Sequence, residues 1–142
     1  MKRSQTFEDL QCWQACRALR IFVARELVNI LPDKEQFRLK DQLLRSARST
    51  TANIAEGYGR FHYQDNAKFC RNARGSVYEV LDHGITGHDE SYFTSAQLEQ
   101  IRHLVDEAAK LLNGYINNLL RSKRDSNLSE EPAEYLSTHP DL

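Results

Sequence analysis

The residues with the most chemistry in this chain sit in its middle. The stretch "LKDQLLRSARSTTANIAEGYGRF", residues 39–61, sets Arg45 and Arg48 three apart, then Ser-Thr-Thr, then Asn53 and Glu56 three apart, then Gly-Tyr-Gly-Arg. Arg38 and Lys40 open the block, and Lys68, Arg71 and Arg74 follow it at steps of three. From Arg38 to Arg74 eight basic residues face three acids, Asp41, Glu56 and Asp65. That local excess of five positive charges lies in a chain whose net charge is −1, so the rest carries six net negative charges. A basic middle in an acidic frame creates a local positive field at a near-neutral total. Lys/Arg runs of this kind bind phosphate backbone without reading sequence. In the link "GYGRFHY", Tyr58, Arg60, Phe61, His62 and Tyr63 interleave rings with charge. Such rings stack on unpaired bases or pack the corner of a helical bundle. The candidate nucleic-acid contacts are therefore Arg38, Lys40, Arg45, Arg48, Arg60, Lys68, Arg71 and Arg74. The open alternative is a set of solvated helix faces with a chance imbalance of charge.

Other chemistries find less support. Catalysis needs a nucleophile, a base and an orienting group in one cleft, whereas the five histidines are scattered at 62, 83, 88, 103 and 139. Bundle di-metal sites use Glu-x-x-His, but Glu79 is followed three later by Asp82 and Glu99 by Arg102. Cys12 and Cys16 stand one helical turn apart and Cys70 is alone; three cysteines fit no disulfide framework and read as buried thiols. "GYG" has neither the spacing nor the preceding strand of a phosphate loop. No catalytic residue, metal or cofactor is expected, and the roles of His83 and His88 stay open.

The elements that must position these residues are helices. Only three prolines and six glycines interrupt the chain, apolar residues make up 40%, and 142 residues suffice for one domain with a core. No apolar run is long enough to span a membrane and the start has no apolar signal region, so a cytoplasmic location is expected. The first helix is expected over 7–31, with Phe7, Leu10, Trp13, Cys16, Leu19, Val23 and Ile30 on one stripe, Leu27 beside them, and a Thr6/Asp9 capping box. Pro32 ends it.

The second helix, about 37–57, shows Leu39, Leu43, Ala47, Thr50 and Ile54, with Gly57 placed to stop it in a left-handed conformation. The third, about 63–86, shows Phe69, Ala73, Val77, Val80 and Leu81; Gly75 in its middle suggests a close backbone approach. "GITGHDESYFTS" reads as the next break. The fourth starts after Thr94 or Ser95 and runs to about Arg121 on a seam of Leu98, Ile101, Val105, Ala108, Leu112, Tyr115 and Leu119. Short links, "PDKEQ" among them, force antiparallel neighbours. The expected fold is all-α, an antiparallel up-down-up-down four-helix bundle over 1–121 with a polar, mobile C-terminal tail over 122–142.

The second helix has a further face. Arg38, Gln42, Arg45, Ser49, Ala52 and Glu56 recur at steps of four and three, away from its apolar stripe. Small residues there would let another helix approach, and its arginines and glutamate could pair across the contact. Oligomer contact and plain solvent exposure are the two readings.

The segments "FEDLQCWQACRAL", "LP", "LKDQLLRSARSTTANIAEGYGR" and "FCRNARGSVYEV" together resemble the bacterial 23S rRNA intervening-sequence proteins, over Phe7 to about Tyr115. The most specific segment is Gln42 to Arg60, with Asn-Ile-Ala-Glu-Gly at 53–57; Gly75, Ser76 and Glu79 give a second match. The resemblance implies a four-helix bundle assembled as a homopentameric ring, and a partner class rather than a reaction. Some members are encoded inside large-subunit ribosomal RNA genes. A related branch, the accessory proteins of diversity-generating retroelements, associates with nucleic acid and a reverse transcriptase. The chain departs from the family pattern at "VLDHGITGHD". Asn53, Glu56, Gly57, Arg60, Gly75, Ser76 and Glu79 are expected to be structural, with Glu56 or Glu79 pairing Arg45 or Arg60 at the corner of helices two and three or at a subunit contact. The expected function is a non-enzymatic oligomeric bundle binding RNA or DNA backbone, the alternative a protein–protein scaffold.

Overall fold

The computed structural model describes residues 5–126. Four long helices carry the chain: α1, Gln11–Phe22, α2, Leu39–Tyr58, α3, Tyr63–Asp89, and α4, Ser95–Asp125. Among the described residues there is no strand. Each helix packs on the next and α4 closes back on α1, with short links between them, as in an up-down-up-down bundle.

The apolar stripes behave as their spacing requires. Leu39, Leu43, Ala47, Thr50 and Ile54 are all buried, and so is the whole α4 seam from Leu98 to Leu119. Thr94 caps α4 through a capping box with Gln97. The helix continues to Asp125 rather than stopping near Arg121. The expected mobile tail lies, from residue 127 on, outside the described residues.

Helix one departs from a continuous 7–31 helix. The Thr6/Asp9 box does form, but it caps only a 3₁₀ turn, Phe7–Asp9, and Leu10 is extended before α1 begins. Beyond Phe22 the helix widens into a π-helical segment, Val23–Leu27, then tightens into a 3₁₀ turn, Val28–Ile30. A π turn adds a residue per turn and shifts the register. Val28 is therefore buried, whereas Ile30, expected on the stripe, is 49% exposed.

Two glycine expectations are corrected. Gly57 does not end α2 in a left-handed conformation; no glycine among the described residues has positive φ, and Phe61 takes that conformation instead, at φ 60. Gly57 lies inside the helix, where an added Cβ would stand 2.8 Å from Asn66 Oδ1 and 2.9 Å from the Cβ of Phe69. Its missing side chain lets α2 and α3 close together. Gly75 meets nothing within 4 Å, so it marks no close approach. That role belongs to Gly84 and Gly87, where added Cβ atoms would meet Ile101 Cδ1 at 2.8 Å and Phe93 Cε2 at 2.3 Å. The two glycines read as a break are thus helical, and α3 runs on to Asp89.

Gly57→Ala and Gly75→Ala should accordingly move stability in opposite directions. The first forces α3 outward and is expected to cost about 1–3 kcal/mol. The second gains helix propensity and should add up to about 1 kcal/mol. Urea denaturation of the two variants checks the pair; equal signs would refute the packing argument.

At the centre, Asn66 is fully buried and donates to the Tyr115 hydroxyl at 3.0 Å while accepting from the Cys70 thiol at 3.4 Å. Desolvation raises the Tyr115 phenol well above its usual range and pushes the Cys16 and Cys70 thiols up to about 12. With Cys12 buried and shifted the same way, all three thiols are held protonated as core residues.

Candidate nucleic-acid interface

The eight basic residues separate into three groups. Arg48, Lys68 and Arg71 are exposed, and their side chains have no ion-pair or hydrogen-bond partner among the described residues. Arg45, 80% exposed, pairs with Asp41 at 3.2 Å, and Arg60, 51% exposed, pairs with Glu56 at 3.0 Å. Both pairs are exposed i, i+4 contacts, the first within α2 and the second from its last turn to a residue just past its end, so they are worth only a few tenths of a kcal/mol. The remaining three have neutral or mixed surroundings. Lys40 donates to Gln36 at 3.2 Å, and Arg74 reaches across to Asn113 of α4 at 2.7 Å. Arg38 lines a depression shared with Glu35 and Glu90.

One copy of the chain does not gather these eight residues on one face. Arg48 turns into the groove between α1 and α2. Arg38 sits beside the far end of α3, and Arg74 points to α4. Helix wheels drawn one element at a time show which residues share a ridge but not how neighbouring ridges face each other. The structure instead brings Arg48 together with Arg20 of α1 and Arg25 of the π-helical segment that follows it. Those two lie outside the basic block in sequence, and a five-residue spacing does not put two side chains on one face of a regular α-helix, so no sequence signal joined them.

The expected motif residues have local roles. Asn53 donates to the Ser49 carbonyl and hydroxyl, both at 2.9 Å, and the Ser49 hydroxyl meets that of Ser76 at 2.8 Å. Asn53 and Ser76 thus take part in one polar link between α2 and α3. The Glu56–Arg60 pair forms as expected, at the exposed end of α2. Arg60 also lies 5.1 Å over the Phe69 ring, a cation–π contact. Glu79 is exposed and pairs with neither Arg45 nor Arg60 among the described residues.

The aromatics of the link divide. Tyr63 is 1% exposed and Tyr58 packs edge-on to Phe7, centroids 6.3 Å apart, so both build the corner. Phe61 stays 44% exposed and free to meet a partner. Among the described residues no three His, Cys, Asp or Glu side chains converge as a metal site would require. His88 meets the Ser95 hydroxyl at 3.2 Å, joining the end of α3 to the start of α4. Among the described residues no helix is long and apolar enough to cross a membrane.

A crystal structure from Bacteroides thetaiotaomicron, of a protein of unknown function in the S23 ribosomal protein family, has the same fold. It superimposes with a TM-score of 0.67 at 22% identity, covering 74% of this chain and 97% of that one. At that identity the likeness speaks for the fold alone. No curated protein matches the sequence. The family description "23S rRNA-intervening sequence protein" matches residues 8–114, which include the basic block, the Asn-Ile-Ala-Glu-Gly segment and most of α4. The chain belongs to the 23S rRNA-intervening sequence protein family.

Proposed function

We propose that this protein is a non-enzymatic, oligomeric bundle, in keeping with a homopentamer, that binds the phosphate backbone of RNA or DNA. The observation that carries the reading is the set of exposed, unneutralised cations on α2 and α3: Arg48, Lys68 and Arg71, with Arg45 and Arg60 held only by exposed carboxylates one turn away. Cations in this state release counterions when they meet phosphate, and that release is the main source of sequence-independent affinity. A symmetric ring would repeat each small basic patch, joining in the assembly what one copy keeps apart. The exposed face of α2, Arg38, Gln42, Arg45, Ala52 and Glu56, supplies a surface for such contacts.

Fluorescence anisotropy of a labelled structured RNA and a matched duplex DNA, with light scattering on the same sample, tests the reading. Binding by an oligomer should weaken steeply with salt and vary little with sequence. An oligomer indifferent to both ligands at low salt would refute it. A protein scaffold is the second reading, favoured by Phe37, 88% exposed, and Ile30, 49% exposed, at the corner between α1 and α2.

A further inference from the structure

The groove between α1 and α2 does not suit a phosphate backbone. Its volume is about 660 Å³ and its floor is apolar, formed by residues such as Ile21 and Leu44. Ala24, Ala52 and Ala55 line it too, and residues without side chains beyond Cβ let a third helix come as near as about 8–10 Å. Trp13 and Phe7 stand at one end, their rings edge to face at 5.4 Å. From Trp13 to Arg25 the groove follows α1 and the π-helical segment after it for about 18 Å, some three turns of an added helix. A phosphate chain has no apolar surface to dry that floor.

The rim carries one sign of charge. Arg20, Arg25 and Arg48 line the groove and no Asp or Glu does. Arg20 spends one N–H on the Thr51 hydroxyl at 2.8 Å. The guanidinium groups of Arg25 and Arg48 have no ion-pair partner among the described residues. An apolar floor under three guanidiniums is complementary to one kind of ligand, a helix with apolar residues at i, i+3/i+4 and i+7 flanked by carboxylates.

We propose that the α1–α2 groove docks an acidic amphipathic helix of a partner protein, its apolar face on the alanine-lined floor and its Asp or Glu residues on Arg20, Arg25 and Arg48. The site does not rest on nucleic-acid binding. Of the cations assigned to nucleic acid it shares Arg48 alone, and Lys68 and Arg71 lie on another helix.

Trp13 is the sole tryptophan in the sequence and reports occupancy of the groove directly. The probes are two synthetic helical peptides of about three turns with identical leucine faces, one flanked by Glu and its twin by Lys. The Glu peptide should shift Trp13 emission saturably, more weakly as salt rises, and the Lys twin should bind at least about tenfold less tightly. In the full chain, R25E/R48E should reverse that preference, whereas R45E, outside the groove, should leave it intact; circular dichroism confirms that both variants are folded. Equal response to the twins, no response to either, or an unchanged preference in R25E/R48E would overturn the proposal. So would a Trp13 environment that varies with protein concentration and ignores both peptides, which would assign the groove to a second copy of this chain. RNA binding by K68A/R71A is read separately, so one proposal can fail without the other.

Discussion

Replacing Arg48, Lys68 and Arg71 together by alanine is expected to make the salt dependence of nucleic-acid binding shallower by about two units in the slope of log K against log salt, since each phosphate contact contributes about 0.7–0.9. At low salt the affinity should fall by about a hundredfold or more. These three side chains are exposed and have no carboxylate to leave behind, so their removal costs the bundle little. The informative comparison is the double variant of Arg45 and Arg60. Each of those arginines has a carboxylate one turn away, at 3.2 and 3.0 Å, which competes with an incoming phosphate. That variant should lose less affinity than the triple. A triple variant that binds as tightly as the parent, with the same salt slope, would remove these residues from any nucleic-acid interface.

Leu112→Ala should cost about 2–5 kcal/mol, enough to lower the melting temperature by about 10 °C. Leu112 is fully buried in the middle of α4, on the seam that α4 presents to the core. Truncating it removes apolar area from the core and leaves a cavity that flanking helices of fixed length cannot close. Leu43→Ala on α2 tests a second position in the core, since Leu43 is also fully buried. Differential scanning calorimetry on both variants measures the cost. A loss below about 1 kcal/mol for either would mean that the core repacks freely, contrary to the close packing expected of bundle interiors.

Much of the fold was legible in the order of residues. The steps of three and four from Leu98 to Leu119 place one side chain per turn on one face, and a face of that kind has to be buried. The same local logic located α2's apolar stripe and narrowed the start of α4 to Thr94 or Ser95, of which Thr94 is the cap. Local spacing offered Glu56–Arg60 as one of several pairings of Glu56 or Glu79 with Arg45 or Arg60, and the structure forms that one while Arg45 pairs with Asp41.

Tertiary structure decided what depends on a neighbour. A glycine inside a helix carries the same local meaning at 57, 75, 84 and 87, yet only the packing partner tells whether a Cβ would strike Asn66, Ile101, Phe93 or nothing. The π turn at Val23–Leu27 shifted Ile30 off its stripe through a register change that an idealised period of 3.6 does not contain. Charge was subject to the same limit. A count along the chain finds a basic block from Arg38 to Arg74, but electrostatic fields act through space, and helix packing assigned Arg48 to the company of Arg20 and Arg25 while turning Arg74 toward Asn113. Sequence by itself determined the helices, their buried faces and the excess of positive charge. How those helices pack determined which charges meet, because that depends on the rotation of each helix about its axis against a neighbour distant in sequence.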